Sequence, residues 1–178
     1  VLVPGDYEEA KQATKAAAKF KGPVYLRFGR EAYPVVEEIH GAFTIGKAKV
    51  LRDGRDVTII TTGIMVSEGL KAADALKEKG HSARVIHMPT VKPLDTEVLL
   101  QAASQTRGIV TAEEHSILGG LGEAVAGFLA EGCPTCVLRV GVNDIFGESG
   151  KAEELLNLHG LRAKNIVEKA LAILKDTD

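Results

Sequence analysis

Four short runs rich in aliphatic and β-branched residues, at 57–61, 83–87, 108–111 and 136–140, predict strands. The stretches between them, 66–79, 95–105 and 120–131, carry apolar residues at helical spacing, and two more helical segments follow at 151–157 and 163–175. Leu70, Ala73, Ala75 and Leu76 form the apolar stripe of the first helix, and Ile166, Val167, Ala170 and Leu174 that of the last. Buried strands alternating with amphipathic helices predict a three-layer, doubly wound α/β domain with a mostly parallel sheet. A further run at 48–52 is separated from the first strand by Asp53-Gly54, a turn signal, which predicts an antiparallel hairpin at the sheet edge.

The first 46 residues follow a different pattern. Residues 1–4 read as the end of a strand, Asp6 as the N-cap of an alanine-rich helix over 7–20, and Gly22-Pro23 as its stop. A second strand follows at 24–28, and two strands cannot close a stable sheet. Residues 31–46 show no sustained period and contain Pro34, Gly41 and Gly46, the composition of an interdomain linker. The expected organisation is a short tail of another domain over 1–30, a linker over 31–46 and the α/β domain over 47–178. The chain begins at Val1, which reads as a processed piece or part of something longer.

Composition narrows the function classes. A chain of 178 residues with 45% hydrophobic side chains can bury one substantial core. Its 22 basic and 24 acidic residues are mixed along the sequence, so no basic block offers a track for nucleic acid. No apolar run reaches the roughly 20 residues of a membrane helix, and two cysteines are too few for a disulfide framework. A soluble, cytoplasmic protein that binds neither nucleic acid nor membrane is expected.

Several segments carry candidate chemistry. Gly119-Gly120-Leu121-Gly122 opens a helix after a strand, where backbone N–H groups hold anions, although close helix–sheet packing also demands glycine there. Glu113-Glu114-His115 lies at the carboxyl end of a strand, the edge where open α/β sheets place ligands. Glu113 and His115 suit acid–base work, or equally a hydrogen-bonded polar cluster. Cys133-Pro134-Thr135-Cys136 has C-x-x-C spacing but follows a helix, so no helix N-terminus activates a thiol, and no second pair completes a zinc site. Asp144 and the 146–150 segment are read as capping the helix at Lys151. His40, His81, His87 and His159 have no ligand spacing and read as surface or hydrogen-bonded core. Arg30, just past Gly29 at a strand end, suits bidentate contact with a phosphate, with a salt bridge to Glu31 or to an acid of the 31–46 stretch as the alternative.

Six segments, taken in order, resemble the C-terminal portion of transketolases, particularly those made as two subunits. They are Val3-Pro4-Gly5-Asp6 with Glu9, the 22–31 stretch, the 56–63 stretch, Met88 to Asp95, Glu113 to Gly122, and Arg139 to Gly150. The resemblance implies that residues 1–30 end a pyrimidine-binding domain and that residues from about 45 form a transketolase C-terminal domain. It implies thiamine diphosphate and Mg²⁺ as cofactors of the complete enzyme, and transfer of a two-carbon ketol unit between sugar phosphates. It also implies the N-terminal and pyrimidine-binding parts as partners, and a homodimer. Arg30 falls on the family arginine that contacts the substrate phosphate.

The family's diphosphate and metal motif, its catalytic glutamate and its histidine-rich loop have no counterpart in these residues, so the chain is expected to be inactive alone. Two rivals share the cofactor, 1-deoxyxylulose-5-phosphate synthase and the β subunit of a 2-oxoacid dehydrogenase. A third reading is a stand-alone anion-binding or regulatory module built on the helix start at Gly119 to Gly122.

Overall fold

The computed structural model describes residues 1–31 and 33–175, so Ala32 of the expected linker and residues 176–178 of the expected domain lie outside the described residues. Val57–Thr61 (β2), Ala83–His87 (β3), Ile109–Ser116 (β4) and Val137–Val142 (β5) form a parallel sheet, joined at one edge by antiparallel Lys49–Arg52 (β1). The strand order is β1-β3-β2-β4-β5. The helices are Tyr7–Lys19 (α1), Met65–Glu78 (α2), Thr96–Gln105 (α3), Leu121–Gly132 (α4), Ala152–Leu158 (α5) and Ala163–Lys175 (α6).

Side-chain alternation along the strands builds the two cores. Val57 and Ile59 of β2, with Val85, Val110 and Ala112, pack against Leu76 of α2 and Ile166, Ala170 and Leu174 of α6. Ile60, with Ile86 and Ile109, faces the other way onto Leu99 of α3 and Leu121, Val125 and Leu129 of α4. This is the expected three-layer arrangement. Among the described residues, no helix is long and apolar enough to cross a membrane.

Three expectations need correction. The Asp53-Gly54 hairpin does not form: β1 pairs with β3, placing Lys49 opposite His87 and Val50 opposite Ile86. Gly54 serves a close crossing instead, since a Cβ there would lie 2.2 Å from the carbonyl carbon of Ala83. The chain thus passes over the start of β3 before entering β2. Residues 24–28 are extended but form no strand, because their one bridge is Leu2 to Leu26 and no second neighbour is present among the described residues. The helix at Lys151 starts without a side-chain cap, so neither Asp144 nor the 146–150 segment has that role.

The expected N-cap at Asp6 forms, its Oδ1 accepting the Glu9 N–H at 2.8 Å. Part of the stretch expected to be a linker, residues 31–46, is packed rather than solvated. A short 3₁₀ turn, Glu37–Ile39, buries Ile39 together with Val36 against Val66 of α2.

Candidate functional site

The sheet reverses its winding between β2 and β4, so the loops leaving these two strands diverge and open a crevice at their carboxyl ends. In this chain the N-terminal tail lies in it. Val3 O accepts hydrogen bonds from Gly63 N–H at 3.1 Å and Thr62 Oγ1 at 3.4 Å, and Val3 N–H donates to Pro89 O at 2.7 Å. Gly63 has φ 57°, and a Cβ there would press on Val3 Cγ1 at 3.0 Å. What remains open is about 140 Å³, lined by Arg27, Thr62, Glu113 and His115 among others. Ligand pockets generally begin near 300 Å³.

The glycine-rich start of α4 is also taken. Glu113 Oε2 accepts the Leu121 N–H at 2.7 Å and Oε1 accepts the Gly122 N–H at 2.8 Å, so the helix end holds an internal carboxylate. A Cβ on Gly120 would lie 2.0 Å from Glu113 Oε2, which explains glycine there. Burial pushes the Glu113 carboxyl above the usual carboxylate range, and the N–H groups of Gly122 and Leu121 pull it down without offsetting that. An external phosphate would have to displace this group, which removes the anion site on which the stand-alone module reading rested.

His115 stands beside Glu113 but is not hydrogen-bonded to it. Its Nδ1 lies 3.9 Å from Glu113 Oε2 and 2.9 Å from the Ser116 carbonyl, on a half-exposed side chain. Glu113 therefore belongs to the hydrogen-bonded cluster, and His115 faces outward. Alternation along β4 turns Glu114 toward the tail, where Arg27 Nη2 donates to its carbonyl at 2.8 Å and its Oε2 at 3.2 Å.

Arg30 is exposed at the rim of a second cleft, of about 740 Å³, between α1 (Tyr7, Lys11, Lys15) and residues 28–31 with Tyr33. The salt bridge to Glu31 weighed from the sequence is not formed, and Arg30 hydrogen-bonds to no described residue. Its guanidinium is free to receive an anion. Next to it, Gly29 is pressed by the Tyr33 ring, since a Cβ there would lie 2.5 Å from Tyr33 Cε2.

Beneath α1 lies a buried polar group that the sequence did not bring together. His87 Nε2 is 2.6 Å from Glu9 Oε2, and both side chains are inaccessible. Glu9 Oε2 also accepts the Gly5 N–H at 2.8 Å, and Lys49 Nζ approaches Glu9 Oε1 at 3.7 Å while donating to the Ile39 carbonyl. Asp6 Oδ2 accepts the Val36 N–H at 2.9 Å and lies 2.9 Å from His40 Nε2. Burial alone would raise the Asp6 carboxyl, but hydrogen bonds from Glu9, Val36 and His40 outweigh it and hold it below the usual range. Glu9 and His87 are 78 residues apart, and nothing local in the sequence marks the pairing.

Cys133 and Cys136 are free thiols, and no group of three or more His, Cys, Asp or Glu among the described residues is placed to hold a metal ion. With the α4 start filled by Glu113, the described residues do not fit the diphosphate and Mg²⁺ of the cofactor that the resemblance implies.

Comparison with known proteins agrees with that resemblance. The family model "Transketolase, C-terminal domain" matches residues 46–166. A Methanocaldococcus jannaschii protein, provisionally named a transketolase C-terminal section, is 43% identical over 98% of this chain and 55% of its own length. The 6-deoxy-6-sulfo-D-fructose transketolase subunit of a Clostridium species is 45% identical over 96% of this chain and 53% of its own. A 1-deoxy-D-xylulose-5-phosphate synthase of Synechococcus is 38% identical over 97% of this chain but 27% of its own. A solved structure described as a split-gene transketolase, an inactive β4 tetramer, superposes with a TM-score of 0.91 at 42% identity, covering 98% of this chain and 56% of that one. The chain thus spans about half the length of the transketolase relatives it matches. It belongs to the transketolase family, as a C-terminal portion carrying the transketolase C-terminal domain.

Proposed function

We propose that this chain is the C-terminal part of a thiamine-diphosphate-dependent transketolase that moves a two-carbon ketol unit between sugar phosphates, inactive by itself. The observation that carries the reading is the match over nearly the whole chain to one half of proteins named as transketolase subunits or sections. Thiamine diphosphate with Mg²⁺ supplies the electron sink of such a reaction, and the preceding parts of the enzyme bind it. Residues 1–30 act as the tail of the pyrimidine-binding domain, residues 31–46 as the linker, and the sheet domain supports dimer assembly and frames the site entrance. Exposed Phe20, Tyr25 and Phe28 on the tail support a covering domain. The relative described as a β4 tetramer supports self-association. Free cysteines fit a cytoplasmic setting.

Arg30 is the residue of this chain that receives the substrate phosphate, and Glu113 and His115 take no catalytic part. The Arg30 side chain, at the rim of an open cleft and without a polar partner among the described residues, supports that role. The 1-deoxyxylulose-5-phosphate synthase alternative rests on a weaker match to a smaller share of a longer protein. In the complete enzyme, Arg30→Ala is expected to weaken phosphorylated-substrate capture by about 2 kcal/mol, roughly a thirtyfold rise in KM, with kcat for unphosphorylated acceptors unchanged. Steady-state kinetics with matched acceptors measures this, and an unaltered KM would remove Arg30 from the site.

A further inference from the structure

Arg30 touches no described polar partner, so its direction is set by the backbone on which it stands. That backbone is gripped three residues earlier. Arg27 N–H donates to Leu2 O at 2.9 Å, and Arg27 Nη2 donates both to Glu114 O at 2.8 Å and to Glu114 Oε2 at 3.2 Å. Glu114 lies within β4, in the irregular stretch between its Ala112 and Ser116 rungs to β5 and two residues past its last rung to β2. Its neighbour Glu113 points inward to the α4 start, and alternation leaves Glu114 facing the tail.

We propose that the Arg27–Glu114 pair is the positioning element for Arg30, through which the C-terminal domain sets how tightly the complete enzyme holds a sugar phosphate. This rests on the reading of Arg30 as the phosphate contact. A guanidinium engages phosphate through a planar fork, so a small shift of its backbone removes one of two parallel hydrogen bonds. Glu114, being an acid, repels phosphate and acts on it through Arg27. That property separates positioning from direct contact: if Arg27 itself bound the phosphate, neutralising Glu114 would free its guanidinium and lower KM.

The test measures KM and kcat of the complete enzyme with a phosphorylated acceptor and its unphosphorylated counterpart, alongside thermal unfolding. Arg27→Ala is expected to raise KM for the phosphorylated acceptor about tenfold with kcat within about twofold, and Glu114→Gln about threefold in the same direction. Arg27→Lys restores part of the loss, and KM for the unphosphorylated acceptor stays unchanged in all three. Equal losses for both acceptors, no change in either, or a lower KM in Glu114→Gln overturns the proposal. Should Arg27→Ala fold poorly, Glu114→Gln decides, since it keeps the size of the side chain and removes only its charge. Arg30→Ala, run beside them, separates the two readings. Discrimination lost with Arg30→Ala but kept with both Arg27→Ala and Glu114→Gln overturns the positioning role alone, and discrimination kept with Arg30→Ala overturns both.

Discussion

The sheet domain and the N-terminal tail are held by different forces. Between Val57 and Leu174, two apolar layers of Ile, Val, Leu and Ala cover both faces of one sheet, and their contribution is the ordinary burial of aliphatic surface. The tail contributes few core side chains, Leu2, Val3 and Ala13, and leaves Tyr7, Phe20, Tyr25 and Phe28 exposed. It is fastened by hydrogen-bonded and charged groups: Asp6 on Glu9, Val36 and His40, Glu9 on His87, and Arg27 on Glu114. Apolar burial is non-directional, whereas hydrogen-bonded pairs fix the direction of the groups they join.

The largest way to break the contrast is at Glu9. Glu9→Ala leaves the inaccessible His87 and the Gly5 N–H without their shared partner, and buried polar groups left unpaired in this way cost about 3 kcal/mol together. Thermal unfolding should show that loss together with faster amide exchange in α1. Gly120→Ala is next: the new methyl group drives Glu113 from the helix start and leaves the Leu121 and Gly122 N–H groups unpaired, a loss of about 2 kcal/mol. Its exchange signature should appear at α4 and spare α1.

The smallest effect is at Asp6, and it sharpens the comparison through pH. Asp6→Asn keeps an oxygen to accept the Glu9 N–H but replaces the one that accepts the Val36 N–H and meets His40, and should cost about 1 kcal/mol at neutral pH. Because the folded Asp6 carboxyl is held below its unfolded value, its extra stability is present above the usual carboxylate pKa of about 3.9 and is lost as pH falls through the folded value. The gap between wild type and Asp6→Asn, followed by denaturant unfolding from pH 7 to pH 3, should therefore narrow at the acid end. A gap independent of pH would show that Asp6 does not act through its charge.

The same division governs what the sequence disclosed. Strands β2 to β5 and helices α2 to α6 were legible because periodicity is local and each element must bury its own apolar face. Strand β1 is the antiparallel edge strand expected, and only its neighbour differs, for a physical reason: Asp53-Gly54 carries the chemistry of a tight turn, but its glycine is required by the backbone of Ala83 and Arg84, contacts some 30 residues away. Asp6 was legible as a cap for the same local reason. Glu113 was singled out with two roles open, and only its reach to Leu121 and Gly122 decides between them. The Glu9–His87 and Arg27–Glu114 pairs join residues 78 and 87 positions apart, which no spacing rule connects.

The central claim, that this chain contributes an arginine and a scaffold to chemistry performed on a cofactor bound elsewhere, is tested most directly by calorimetry and turnover in the same samples. Thiamine diphosphate with Mg²⁺ is titrated into the isolated chain and into the chain mixed with the cofactor-binding part of the enzyme, and two-carbon transfer between sugar phosphates is then assayed. The expected result is no binding and no transfer by the chain alone, with both appearing on mixing. Cofactor binding and turnover by the isolated chain would contradict it.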